Sequence, residues 1–368
     1  MLKSRIHSFA WMLLGCLGCT ADPISFTTPT CEPSAAQNIQ VTNRDAYGLA
    51  PYALGYPPYS ADGCSLLYVA PSADMNGNGE LRLRNLATNT EIVIADAATL
   101  PRRPVMAGDW LAWEADEQGR TLIHVHNRKD EKTLIIEGGF DHATEPRISS
   151  TAVVFTAWSG PETTADTDVA MYDFATKQVE MIGQGPGQQR FADISDTHLA
   201  FSDFSEDPDG RFDENMFDIA DIVVFDRQTK TSSKRPREGK QAFPMLGAPG
   251  KLAFLDWNLV HPEPKLVAYD LRLADIGDSL ADSVLVEKIQ TTAPYVRPAA
   301  RGQYLEWVGL VETAGSALWR MRVDATSAPV MVQEPSMMNL FAPTASEDIT
   351  FVGVQNIDGA VALEAFAR

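Results

Sequence analysis

Seven proline-and-aromatic units, short alternating strand patterns inside each, and an orphan strand ahead of the first predict an all-β fold: a seven-bladed β-propeller of four-stranded antiparallel blades, closed by an N-terminal strand in the last blade. The units open at Pro58, Pro104, Pro146, Ala192, Pro244, Pro298 and Pro343, spaced 42 to 54 residues apart. Eight to ten residues later an apolar run carries an aromatic: Tyr68, Trp113, Phe155, Phe201, Phe254, Trp307 or Phe351. A third run alternates and often ends in Asp or Asn, as in residues 81–85, 123–127, 169–173, 222–226 and 266–270. A turn then leads to a fourth strand, as at 92–94, 134–136 and 284–286. A four-stranded blade has two apolar faces and is not stable alone; radial stacking buries those faces against one another. The aromatic of the second strand is the expected filler of the gap between blades. The last unit ends after three strands, and residues 39–42 form an unmatched strand before the first. Pairing the two closes the ring and removes two exposed edges. A layered β-sandwich is the alternative that the repeat argues against.

Before the repeats, residues 1–19 read as a signal: Lys3 and Arg5, then a short apolar core, then small residues. The exit, Leu13-Leu14-Gly15-Cys16-Leu17-Gly18-Cys19, resembles the bacterial lipobox, in which a thiol takes a diacylglycerol. Cys16 has the better upstream match and Cys19 the longer apolar core, so the lipidated residue is Cys16 or Cys19. Neither is followed by Asp, which under this resemblance implies the outer membrane. A plain signal peptide cut nearby is the simpler account. Residues 20–37, rich in Thr, Pro, Ser and Ala, read as a flexible tether, with the propeller over 38–368. An exported chain tolerates disulfides, and Cys31 with Cys64 would pin the tether to the first blade; two unpaired cysteines are the alternative.

Composition narrows the function classes. With 368 residues and 45% hydrophobic content the chain can bury a sizeable core. Its formal charge of −19 argues against a nucleic-acid partner, since phosphate binding needs a basic face. No apolar run reaches the eighteen residues of a spanning helix, so membrane contact is expected through the N-terminal lipid alone.

The first unit reads Pro58-Tyr59-Ser60-Ala61-Asp62-Gly63-Cys64-Ser65-Leu66-Leu67-Tyr68-Val69. It resembles the Ser-x-Asp-Gly repeat of TolB-type, WD-like β-propellers, in which Asp-Gly makes the turn between the first two strands. Later units keep the frame and lose the Asp-Gly. The resemblance covers residues 38–368 as architecture, without TolB's N-terminal α/β domain, and implies a fold and an envelope location.

No catalytic motif stands out: no G-x-S-x-G, H-E-x-x-H or P-loop. His124 and His126 share one strand face, but His126 aligns with packing aromatics. Asp74, Asn76 and Asn78 match the start of a calcium loop; the closing Glu is missing, and turn propensity alone accounts for the segment. Calcium is thus the single cofactor considered, and none is required. Loops joining the second and third strands, and loops joining blades, should emerge on one face. The first set brings Asp203, Asp207, Asp209 and Asp213; the second brings Arg102, Arg103, Arg190, Arg237 and Arg297. Those charges define a candidate binding face, acidic outside and basic toward the axis, with solvated loop charge as the plainer reading. On it, reversing the charges of Arg103 and Arg297 would abolish capture at little cost in stability.

Two functions follow. One is a lipid-anchored, monomeric, non-enzymatic binding or scaffold module for an envelope protein, peptide or glycan, facing the periplasm or cell surface. The other is a propeller hydrolase or lyase acting on polysaccharide or peptide fragments at the axial funnel.

Overall fold

The alternation within each repeat becomes seven antiparallel four-stranded sheets, each built from consecutive strands except the last. The computed structural model describes residues 31, 33–42, 56–71, 78–161, 166–211, 219–256, 267–291, 297–311, 315–324, 328–336, 340, 342–346, 348–355 and 360–368. The lipidation candidates Cys16 and Cys19, together with Asp74, Asn76, Asp213 and the side chain of Asn78, lie outside it.

The innermost strands are Tyr59–Asp62, Arg102–Ala107, His142–Ile148, Gln189–Ile194, Gln241–Met245, Ala299–Arg301 and Thr344–Ala345. They define blades one to seven. The chain is a seven-bladed β-propeller, and its closure follows the pattern expected from the orphan strand. Gln40–Val41 pairs with Val361–Ala367, with Val41 opposite Val361, and so supplies the outer strand of blade seven. Tyr59 braces the seam: its hydroxyl donates to the Ala342 carbonyl (2.8 Å) and accepts from the Gly353 amide (2.7 Å), joining blade one to blade seven.

Apolar packing is divided among the blade interfaces. Leu67, Val69 and Leu81 of blade one meet Met106, Leu111 and Trp113 of blade two. Comparable clusters stand at the other junctions, and all seven repeat aromatics are buried. A flat ring between two twisted sheets covers much apolar area at once, which is why that one position recurs.

At the first turn of blade one, Gly63 has φ +52°, as the Asp62-Gly63 step required. Blades two and six keep glycine at the same place, Gly108 and Gly302 at φ +56°, with the aspartate lost. The conformation was therefore retained where the dipeptide was not.

Cys31 and Cys64 form a disulfide with Cα atoms 5.2 Å apart. Pro33–Ala36 makes a short 3-10 turn, and the Asn38 amide donates to the Leu363 carbonyl (3.0 Å). The segment from Cys31 onward belongs to one compact unit with the propeller.

Candidate functional site

The seven inner strands surround a small axial cavity of about 120 Å³, lined by residues of every blade. Its chemistry depends on a device repeated in four of them. Arg103, Glu145, Phe191 and Phe243 each adopt a left-handed backbone (φ +47° to +59°) immediately before Pro104, Pro146, Ala192 and Pro244. At each of these points the pairing register skips: Arg102 to Val105, Thr144 to Arg147, Arg190 to Asp193, Ala242 to Met245. A bulge re-aims the side chains around it, and a left-handed non-glycine residue costs roughly 1–2 kcal/mol. Such strain persists where neighbouring bonds hold it in place.

Buried carboxylates provide those bonds. Glu114 of blade two, fully buried, accepts from the Glu145 amide of blade three (2.6 Å), from Thr144 Oγ1 (2.5 Å), from Arg102 Nε (2.9 Å) and from Arg103 Nη1 (2.9 Å). Glu145, also fully buried, accepts from the Phe191 amide of blade four (3.4 Å) and from Arg190 Nη2 (2.5 Å). Each carboxylate fixes the bulge of the next blade. Burial pushes both carboxyls up, but the guanidiniums outweigh it: Arg103 and Arg102 hold Glu114 below the usual range, and Arg190 and Arg103 do so for Glu145.

This arrangement corrects the expected binding face. Arg102 (6% exposed) and Arg297 (3% exposed) are buried, so they present no charge to a partner on an open rim. Arg190 and Arg237 are committed to Glu145 and to Asp256, the latter at 2.8 Å. Arg103 serves Glu114 and Thr144, so reversing its charge would disrupt the core as well as any ligand contact. The acidic residues are engaged too. Asp203 lies 3.4 Å from Lys234 Nζ. Asp207 accepts from the Ile219 and Asp209 amides, and Asp209 accepts from the Arg211 amide, so both shape their own loop. His124 lies 3.1 Å from Glu117 and packs against Trp113, while His126 is within 3.0 Å of Thr133 Oγ1.

What the structure does bring together at the axis is a cationic group around Tyr56. The guanidinium carbons of Arg147, Arg103 and Arg297 lie 4.7, 5.5 and 5.7 Å from the centre of its ring. Arg297 also donates to the Tyr56 hydroxyl (3.4 Å) and to the Pro244 carbonyl. Burial, then Glu145, pushes the Tyr56 phenol well above its ordinary value. At the far end of the inner strands, Arg301 of blade six pairs with Asp62 of blade one, and Asp193 accepts from the Leu246 amide (2.7 Å). Tyr56, Arg147, Glu114, Glu145 and Asp193 were not singled out from sequence. The available signal was a charged residue flanking the opening proline, as in Arg103-Pro104, Pro146-Arg147 and Arg297-Pro298.

No protein-family model matches the chain, and no curated protein matches it in sequence. Solved structures match it in fold. The β-propeller domain of the trilobed protease from Pyrococcus furiosus superposes with a TM-score of 0.61 at 11% identity, covering 85% of this chain and 95% of that one. That domain is described as having an open velcro topology, whereas here the N-terminal strand completes the last sheet. An oligogalacturonate lyase in complex with manganese gives 0.56 at 11% identity, over 90% and 98%. TolB from Acinetobacter baumannii gives 0.47 at 14% identity, over 74% of this chain and 64% of that one. The first two likenesses support the β-propeller fold, and one fold hosts many unrelated functions.

Proposed function

We propose that the chain is a non-enzymatic binding module of the bacterial cell envelope, tethered through a lipid on Cys16 or Cys19, that receives an anionic group of its ligand in the axial cavity. One observation carries this reading: the polar groups gathered around Tyr56 are guanidiniums and a phenol held well above its usual pKa. All are donors that keep their protons at neutral pH. They are suited to recognising an acceptor, and general acid–base catalysis needs a group whose pKa lies near the working pH.

The test follows binding and turnover together. The full chain is titrated calorimetrically with short acidic peptides and uronate oligosaccharides, and each mixture is followed by mass spectrometry. Saturable binding of an acidic ligand with no change in its mass is expected. Product formation abolished by Arg147→Met would sink the reading. Retention in the membrane fraction should be lost when Cys16 and Cys19 are both replaced by Ser, and in whichever single variant removes the lipidated thiol. Loss of neither membrane retention nor lipid mass in that double variant would remove the anchor.

A further inference from the structure

We propose that the axial cavity is a carboxylate site with Arg147 as its receptor. The inference deepens the binding-module reading and rests on it for the ligand's biological meaning, though the site stands on its own geometry.

The argument begins with hydrogen bonding. Arg103, Arg190, Arg297 and Arg301 each have a polar partner across the blades. Among the described residues Arg147 has an aromatic face, no hydrogen-bond partner for its buried Nε and no ion pair with a carboxylate. A buried guanidinium nitrogen left unpaired is costly, and such a group in a folded protein calls for an occupant. Burial and the neighbouring Arg297 pull its pKa down to about 10, so it is still charged at neutral pH. A second donor stands beside it. The Tyr56 hydroxyl accepts from Arg297 and has no acceptor of its own among the described residues.

Charge and size select the ligand class. Glu114, Asp116 and Glu145 balance Arg102, Arg103 and Arg190, and Asp62 balances Arg301. Asp193 offsets part of what Arg147 and Arg297 bring. The remaining excess suits a monoanion. A dianion would meet Asp193 and Glu145 without enough cation to hold it. A planar carboxylate also matches the planar fork of a guanidinium, which can grip both oxygens. The cavity of about 120 Å³ is smaller than the roughly 300–1,000 Å³ that encloses a drug-sized molecule. It therefore takes a small acid whole, or the acidic end of something larger.

The experiment uses the full chain at pH 8, where phosphate is mostly the dianion, and at fixed ionic strength, titrated calorimetrically with four probes. Glycolate represents a free acid, diglycine and its C-terminal amide represent a chain end, and inorganic phosphate represents the dianion. Glycolate or diglycine should bind saturably, and the amide should not. Arg147→Met should weaken carboxylate binding at least about tenfold, the loss expected for a charge-assisted bidentate contact. The same variant should unfold at the same or a higher temperature than the parent, because it deletes a charge that Asp193 only partly offsets. A purely structural arginine would instead lower it.

Tighter glycolate than diglycine binding assigns a free acid, and the reverse assigns a chain end. Equal carboxylate binding by Arg147→Met, no binding of either carboxylate, or tighter binding of phosphate overturns the proposal. The two readings fail separately. Chemical conversion of a bound acid sinks the binding module and leaves the site, whereas capture of a larger ligand unaffected by Arg147→Met sinks the site alone.

Discussion

Glu114→Gln removes one negative charge and almost no volume from a point where two blades meet. The carboxylate is fully buried and receives four hydrogen bonds, two from guanidiniums and two from blade three. The amide keeps one oxygen as acceptor and turns an NH2 toward groups that are themselves donors. Arg102 and Arg103 lose a charged partner inside the protein. Breaking a buried pair in this way costs about 3–5 kcal/mol, far more than the Coulomb attraction it removes, because the surviving charge cannot be rehydrated. An exposed pair gives the comparison: Lys251 lies 2.7 Å from Asp275, whose side chain is 56% exposed, and Asp275→Asn should cost under about 1 kcal/mol. Urea unfolding followed by tryptophan fluorescence reads both, and unchanged m-values identify the shifts as stability changes. Adding Arg103→Met to Glu114→Gln should recover part of the loss, since residues sharing a network are not additive. A Glu114→Gln chain no less stable than Asp275→Asn would refute the idea that these carboxylates hold the blades together.

Acid should reveal the same residues. Glu114 and Glu145 have depressed values in the folded chain, so their contribution is complete above the unfolded value of about 4.3 and disappears as pH falls through the lower folded values. The melting temperature should hold from pH 7 to roughly 5 and then drop, and Glu114→Gln should flatten that drop; an identical acid limb in the variant counts against the assignment. Gly247→Ala places a Cβ 1.6 Å from the Ala300 carbonyl of blade six, so backbone must move and a loss of at least about 3 kcal/mol or failure to fold is expected. Gly277→Ala, with nothing within 4 Å, is its neutral control, and equal melting of the two would disprove the close approach. Cys64→Ser opens a loop closed across 33 residues and should cost about 2–4 kcal/mol, matched by adding reductant to the parent; a loss below about 1 kcal/mol would mean that closure does not depend on the bridge.

Architecture was legible because it is written in apolar periodicity, and periodicity survives drift. Tyr68, Trp113 and Phe155 differ in chemistry and share one duty, to fill a blade interface, so the repeat could be counted without consensus. The closing strand was legible for a related reason: blade seven lacked a partner, and residues 39–42 lacked a sheet. Charge placement was not. The residues from Arg102 to Arg297 were read as loop cations because they fall between strands in the sequence. The structure turns several inward at bulges that no periodicity announces. A one-residue bulge at Pro104 or Pro146 reverses which side chains face the axis, and it leaves only a proline and a charged neighbour as its trace.

The inward turn also explains how a chain of net charge −19 concentrates cations at its centre. Each left-handed residue before the opening proline exposes an amide that strand pairing no longer satisfies. A carboxylate from the preceding blade takes it at Glu145 and Phe191. That carboxylate is buried, so it requires guanidiniums, and those lie on the inner strands because nothing else is within reach. The cations of the axis are thus a consequence of holding the bulges, and Arg102, Arg103 and Arg190 need no ligand to justify them. Arg147 breaks the chain of necessity: it follows the bulge, forms no ion pair among the described residues, and is held against Tyr56 beside Arg297. Structure alone gives the blade no return for that charge, whereas a bound anion would stabilise the folded state in proportion to RT ln(1 + [L]/Kd). The stability of the Arg147→Met chain, measured with and without glycolate, therefore separates a residue kept for the fold from one kept for a ligand.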